Sequence, residues 1–180
     1  MWAGIRFRQK VLTSDVQIRR ATPDDARSIA DILREAFAQF ESDYTPEAFA
    51  AVTPPPDEIA RRFDEGPIWI AVRNDEIVAT VSVVPEPEWL YIRSMAVLPK
   101  MQGLGIGHQI LNVVEKYGIQ NGFDRLFLYT THFSTDAIRL YEKHGFGRVR
   151  DTSAEEWLGT PGLSMDKKIG GNIGKYVTGS

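Results

Sequence analysis

There is no cysteine among the 180 residues, which removes disulfides, thiolate metal ligands and cysteine nucleophiles together. Histidine occurs only at His108, His132 and His144, without HExxH or any similar spacing that gathers a metal ion, so no metal is expected. No run approaches the roughly 18 consecutive apolar residues of a membrane-spanning helix. The first fifteen residues, MWAGIRFRQKVLTSD, lack the apolar core of a secretory signal. Basic residues are not in excess either: 21 Lys and Arg stand against 24 Asp and Glu, for a net charge of -3, and they are scattered along the chain. A nucleic-acid partner selects a gathered basic stripe. These absences lead us to expect a cytoplasmic protein without nucleic-acid or membrane partners.

What is present is the mixture of a soluble globular domain, 43% apolar and 25% charged, at a length that suits one self-sufficient core. VQIRRAT (16–22) alternates like a strand. TPDDARSIADILREAFAQF follows with a Thr-Pro start, acids in its first turn, and Ala26, Ile29, Ala30, Leu33 and Phe37 at helical spacing. The aromatic, acidic and proline-rich stretch 41–57 suggests a short helix or loop before a helix around 58–63. PIWIAV, IVATVSVV and WLYIRSMAVL (89–98) read as three strands, the last ending at Pro99. Period two along that last strand places Trp89, Tyr91, Arg93, Met95 and Val97 on one face, and Leu90, Ile92, Ser94, Ala96 and Leu98 on the other. From Gly107 the period becomes helical, NGFD breaks it, and RLFLYT (125–130) returns to a strand, which implies a right-handed crossover and parallel pairing. Ser134 or Thr135 caps a last helix that HGF ends, and GRVRD and LSMDKKI supply two more strands. The expectation is one α/β (α+β) domain over 16–169, with a mixed sheet of about six to seven strands flanked by about four helices. An extension (1–15) precedes it and a mobile tail (170–180) follows.

The stretch MQGLGIGHQI (101–110) places glycine at alternate positions between a strand and a helix. Glycines there let several backbone N–H groups converge at a helix N-terminus, where an anion such as pyrophosphate is stabilised. Two phosphate-binding motifs fail on their own terms. Gly107 is followed by His108 and Gln109 where an ATPase loop needs Lys and Ser or Thr. His108 also occupies the sixth position of the would-be dinucleotide fingerprint.

VLPKMQGLGIG resembles the acetyl-coenzyme A signature of the GCN5-related N-acetyltransferase (GNAT) family, with Gln102, Gly105 and Gly107 at the signature positions. AIRLYEKHGF (137–146) is similar to that family's second hallmark, a helical tyrosine followed by a Gly-Phe that starts the next strand. The resemblance covers about residues 16–168 and implies N-acetyl transfer from acetyl-CoA to a primary amine by direct attack. The alternative is a non-catalytic acyl-CoA-binding regulatory domain. It further implies that Met95, Ala96 and Val97 hold the pantetheine arm along a splayed strand edge, and that Gln102, Gly103, Leu104, Gly105, Ile106 and Gly107 hold the pyrophosphate. Ser134 stands where the family often has asparagine to steady the cofactor arm, and serine is shorter.

Acyl transfer needs a neutral amine, a stabilised carbonyl oxygen and a proton for the departing thiolate. Tyr141, protonated at neutral pH, is the expected proton donor. The Val97 N–H is the simplest oxyanion donor. Glu88, at the start of strand 89–98, is the candidate base, although Glu86 and Glu88 flank Pro87 in what reads as an exposed turn. Phe37, Tyr44, Tyr91, Arg93 and His132 are the candidate acceptor contacts. Phe37, Phe40, Tyr44 and Phe49, with Glu41 and Asp43, form an aromatic-acidic cluster suited to lining an acceptor cleft. The acceptor is a small-molecule amine or a peptide or protein amine, and the oligomeric state is open, with a homodimer as one candidate assembly.

Overall fold

A computed structural model describes residues 16–170. The expected extension 1–15 and, apart from Gly170, the expected tail lie outside the described residues. Strand β1 (Val16–Arg20) leads through a single 3-10 turn (Pro23–Asp25) into α1 (Ala26–Phe37). The Asp25 carboxylate fixes this entry: it accepts from the Thr22 N–H at 2.8 Å and takes both terminal nitrogens of Arg19, at 2.8 and 2.9 Å. Those donors hold its pKa down at about 2. Ile29, Ala30, Leu33 and Ala36, at helical spacing, are buried on the inner face of α1.

The poorly legible stretch 41–57 holds a 3-10 segment (Ala38–Asp43) and α2 (Pro46–Val52), before α3 (Pro56–Arg62). Both α-helices begin with proline at the first helical position, where the missing N–H costs nothing. There are therefore five α-helices among the described residues, one more than the sequence suggested. Strands β2 (Ile68–Arg73), β3 (Glu76–Pro85) and β4 (Leu90–Val97) follow, then α4 (Ile106–Gln120), β5 (Arg125–Thr131), α5 (Thr135–Lys143), β6 (Gly147–Thr152) and β7 (Gly162–Lys168). They form one seven-stranded sheet in the order β1-β2-β3-β4-β5-β7-β6. Helix α4 packs on the sheet face that carries Leu90 and Leu126, since a Cβ on its Gly118 would stand 3.5 Å from both. The α3 segment covers the opposite face, where Arg62 donates to Ser94 and Glu65 pairs with Arg93. Among the described residues, no helix is long and apolar enough to cross a membrane.

Two irregularities of β4 shape the centre of the molecule. Its parallel pairing with β5 lasts for three residue pairs, Leu90 with Leu126, Tyr91 with Phe127 and Ile92 with Leu128. Beyond them β4 continues only with β3 and β5 only with β7, so a fork opens between the two strands. The second irregularity is a bulge: Arg93 pairs with Ser82 but Ala96 with Thr80, and Ser94 has a φ of 51°. Period two therefore fails at Ser94. Because Ser82 and Thr80 share a face, Ala96 joins Tyr91 and Arg93, and Val97 moves to the face of Ile92. This corrects the simple alternation read from the sequence, because the extra residue reverses the phase of everything after it.

Candidate active site

The glycine loop closes directly onto the open arm of the fork. After β4, a 3-10 turn (Pro99–Met101) leads to Gln102, whose side-chain amide donates back to the Val97 carbonyl at 3.3 Å. Gly103 and Gly105 have φ of 76° and 79°, and a Cβ on either would meet nothing within 4 Å. Their requirement is conformational, and the space beside them is free for a ligand. Gly107 is different, for its Cβ would stand 2.7 Å from Leu140 Cδ2, so it lets α4 and α5 approach. The Gln109 N–H reaches Gly105 O at 3.1 Å, which leaves the Ile106, Gly107 and His108 amides as first-turn donors without helical partners. This arrangement suits a pyrophosphate, and the fork beyond it offers unpaired strand edge to an amide-bearing arm.

A cavity of about 870 Å³ runs from this loop through the fork, a volume suited to a cofactor and a small ligand. Its lining includes Met95, Ala96, Val97, Gln102, Gly103, Gly105, Ile106, Gly107 and Ser134, and also Phe37, Tyr44, Tyr91, Arg93 and Tyr141. Leu104 belongs to the loop but not to the lining. Glu88 is exposed in the β3–β4 turn, outside the lining. His132 is half exposed, 3.6 Å from Asp151, and is likewise not brought to the cavity.

Tyr141, on α5, is 7% exposed. Burial, reinforced by the neighbouring Tyr91 and Tyr44, pushes its pKa well above the usual phenol value, so its hydroxyl keeps its proton throughout the neutral range. Tyr44 and Tyr91 are raised by the same cause. At the open end of the fork the hydroxyls of Thr131 and Ser134 share a 2.7 Å hydrogen bond, so Ser134, the residue before α5, spends its side chain on β5 and not on capping. His108 also reaches the cavity. Its Nδ1 lies 3.3 Å from His144 Nδ1. His144 Nε2 is 3.3 Å from Glu115 Oε2, which Lys167 holds at 2.6 Å. Burial and then Lys167 push the His144 pKa down, against the pull of Glu115.

The far end of the cavity is aromatic. Tyr44 is its hub, edge-on to Phe133 at 4.9 Å between ring centroids and near Phe37, Phe49 and Trp157 at 6.3, 6.2 and 6.2 Å. Trp157 comes from the β6–β7 loop, which is tied down where Thr45 Oγ1 donates to the Leu158 carbonyl at 2.5 Å and the Thr45 N–H to Thr160 Oγ1 at 3.1 Å. Tyr91 and Tyr129 stand edge to face at 6.0 Å. Glu41 and Asp43, expected among these aromatics, are exposed and do not line the cavity. Arg62, Tyr129, Thr131, Trp157 and Thr160 do line it, and none was singled out from the sequence.

Residues 27–146, more than half of the chain, match the model of the acetyltransferase (GNAT) family. The chain belongs to the GNAT family. It is 30% identical over 138 residues to the aminoalkylphosphonate N-acetyltransferase of Salmonella typhimurium, covering 72% of this chain and 84% of that one. It is 25% identical over 138 residues to the uncharacterized N-acetyltransferase YjgM of Escherichia coli, covering 73% and 82% respectively. In fold it resembles the paia N-acetyltransferase of Thermoplasma acidophilum, solved in complex with coenzyme A, with a TM-score of 0.70 at 19% identity over 85% of this chain and 98% of that one. This GNAT protein is an N-acetyltransferase with acetyl-CoA as its acyl donor. The loop, fork and cavity fit that donor on their own geometry: first-turn amides for phosphates, open strand edge for the arm, and Tyr141 beyond it.

Proposed function

We propose that this enzyme acetylates a small primary amine, with Tyr141 as the proton donor to sulfur. Acetyl-CoA supplies an acetyl group activated as a thioester. In the reaction the amine nitrogen forms a bond to the carbonyl carbon, the carbon–sulfur bond breaks, and sulfur leaves needing one proton. The buried hydroxyl of Tyr141 holds a proton at the cavity wall and passes it to the sulfur. The loop amides from Gly103 to Gly107 anchor the pyrophosphate, the Gln102 N–H being already donated to the Pro99 carbonyl; Met95 to Val97 orient the arm along the open edge, and the Val97 N–H meets the carbonyl oxygen. The one carboxylate in the cavity lining, Asp136, is exposed and paired with Arg139 at 3.2 Å, so the amine's own proton leaves to water rather than to a dedicated base.

The observation that carries this reading is continuity: one cavity joins the loop, the fork, Tyr141 and the aromatic end. A small acceptor is supported by the β6–β7 loop, which narrows that end by setting Trp157 6.2 Å from Tyr44 between ring centroids. A broad open groove would suit a peptide. The relative that acts on aminoalkylphosphonates, which are small amines, supports the same reading. The test is release of free CoA thiol from acetyl-CoA against a panel of small amines and lysine-containing peptides. Turnover with small amines is expected, and turnover with peptides alone would overturn the small-acceptor reading.

A further inference from the structure

The charged residues that line the cavity are unevenly matched. They are Arg62, Arg93, Arg139 and Lys143 against a single acid, Asp136. Asp136 is exposed on the first turn of α5 and pairs with Arg139 at 3.2 Å. Arg139 and Lys143 share α5 with Leu140, which packs on the glycine loop at Gly107. Arg62 and Arg93 lie on the other side of the fork, at the acceptor end beside Tyr91, whose hydroxyl they influence. That end therefore carries two guanidinium groups, and the lining's one carboxylate, Asp136, is already paired with Arg139.

Both arginines are held from behind. Arg62, 8% exposed, donates to Ser94 Oγ at 2.9 Å and to Glu58 Oε1 at 2.5 Å. Arg93 donates to Glu65 through one terminal nitrogen, while its Nε is buried without a partner. Glu58 and Glu65 are 39% and 46% exposed and neither lines the cavity. The acids stand on the solvent side, so the guanidiniums are positioned with donors still to spend. The Ser94 bulge fixes their relation, since it supplies a hydroxyl to Arg62 immediately after Arg93 in β4. A polycationic acceptor would meet two guanidiniums here, and the nearby acids, Glu58 and Glu65, are already paired and lie outside the lining. An acceptor with its own oxyanion would complete the donor sets, because guanidinium matches planar and tetrahedral oxyanions. The same cations favour the neutral form of a nearby amine, which is the nucleophilic form.

We infer that the acceptor is a small primary amine that also carries an oxyanion, either carboxylate or phosphonate, docked against Arg93 with Arg62 behind it. This rests on N-acetyl transfer at this site. The test measures kcat/KM at saturating acetyl-CoA for four amines with three methylenes between nitrogen and the second group: 4-aminobutanoate, 3-aminopropylphosphonate, 3-aminopropanol and 1,3-diaminopropane. The two acidic amines are expected to exceed the alcohol at least tenfold, with the diamine slowest. The ratio between the acidic pair shows which oxyanion is preferred. Arg93→Gln is expected to lower kcat/KM for the acidic amines at least tenfold, chiefly through KM, and to bring their ratio to the alcohol close to one. Arg93→Lys should restore part of it. Preference for the alcohol or the diamine, or an equal loss for all acceptors in Arg93→Gln, overturns this inference while leaving amine acetylation standing. No transfer to any of the four, with transfer to lysine-containing peptides by the same acetyl-CoA-binding protein, overturns the small-amine reading as well.

Discussion

Gly107 on α4 and Leu140 on α5 are in such close contact that one methyl group on the glycine would stand 2.7 Å from Leu140 Cδ2. The helix that presents Tyr141 is thereby registered against the helix that follows the glycine loop. In Gly107→Ala the end of the Leu140 side chain must move aside, and the roughly 1 kcal/mol that alanine gains over glycine in a helix offsets that strain, so the net change is expected to stay within about 1 kcal/mol. In the Gly107→Ala background, Leu140→Ala should cost less than it does alone, by at least about 0.5 kcal/mol. Urea denaturation of the four proteins measures this coupling, and strict additivity would contradict it.

Tyr141→Phe keeps the ring and removes the donor. Turnover is expected to fall about ten- to a thousandfold while affinity for CoA, measured by calorimetry, is unchanged. Because burial raises the phenol well above its usual range, the wild-type rate should show no alkaline decline attributable to this residue between about pH 6 and 9. An unchanged chemical step in rapid-mixing experiments would reduce Tyr141 to a packing residue.

Gly105→Val tests the loop. Gly105 sits at a φ of 79° immediately before α4, a conformation that costs an L-residue roughly 1–2 kcal/mol and a β-branched one more. With no atom within 4 Å of its Cβ position, the substitution does not disturb the core. Acetyl-CoA affinity should weaken at least about tenfold, with the circular dichroism spectrum retained. Undiminished affinity would exclude the loop as the phosphate site.

Asp25 gives a pH signature far from the site. Its native pKa, about 2, lies below that of an unfolded carboxylate, so its stabilisation is complete above roughly pH 4 and is lost as pH falls through about 2. Arg19 is half exposed, which reduces the effect to about 1 kcal/mol. Asp25→Asn should therefore be less stable than wild type at neutral pH, with the two denaturation curves converging in strong acid.

Most elements of the fold were legible because their local signals agreed with their tertiary surroundings. The inner face of α1, the strand pair β2 and β3, and the glycine loop all follow from period and turn chemistry. The Ser94 bulge was not legible. No residue of WLYIRSMAVL advertises a positive φ, and the irregularity is imposed by pairing with β3, which sequence spacing does not contain. Trp157 and Arg62 escaped for a related reason. Each looks ordinary in its own segment, one in a loop between strands and the other at the end of a short helix, and only long-range packing brings them to the cavity. Glu41 and Asp43 show the converse, where proximity in sequence to Phe40 and Tyr44 suggested an acidic lining that the 3-10 segment turns outward to water.

The three-pair junction between β4 and β5 gives the sheet a spine like that of a half-opened book, with β1 to β4 as one cover and β5 to β7 as the other. An arm that bonds to the exposed edge of one cover binds only the folded form, so saturation by coenzyme A at about a hundred times its dissociation constant adds about 2.7 kcal/mol to stability. Amide hydrogen exchange should localise that gain. Protection is expected to rise along Met95, Ala96 and Val97, where the ladder with β5 has already ended, and to stay unchanged at Ile92, which the sheet already holds from both sides.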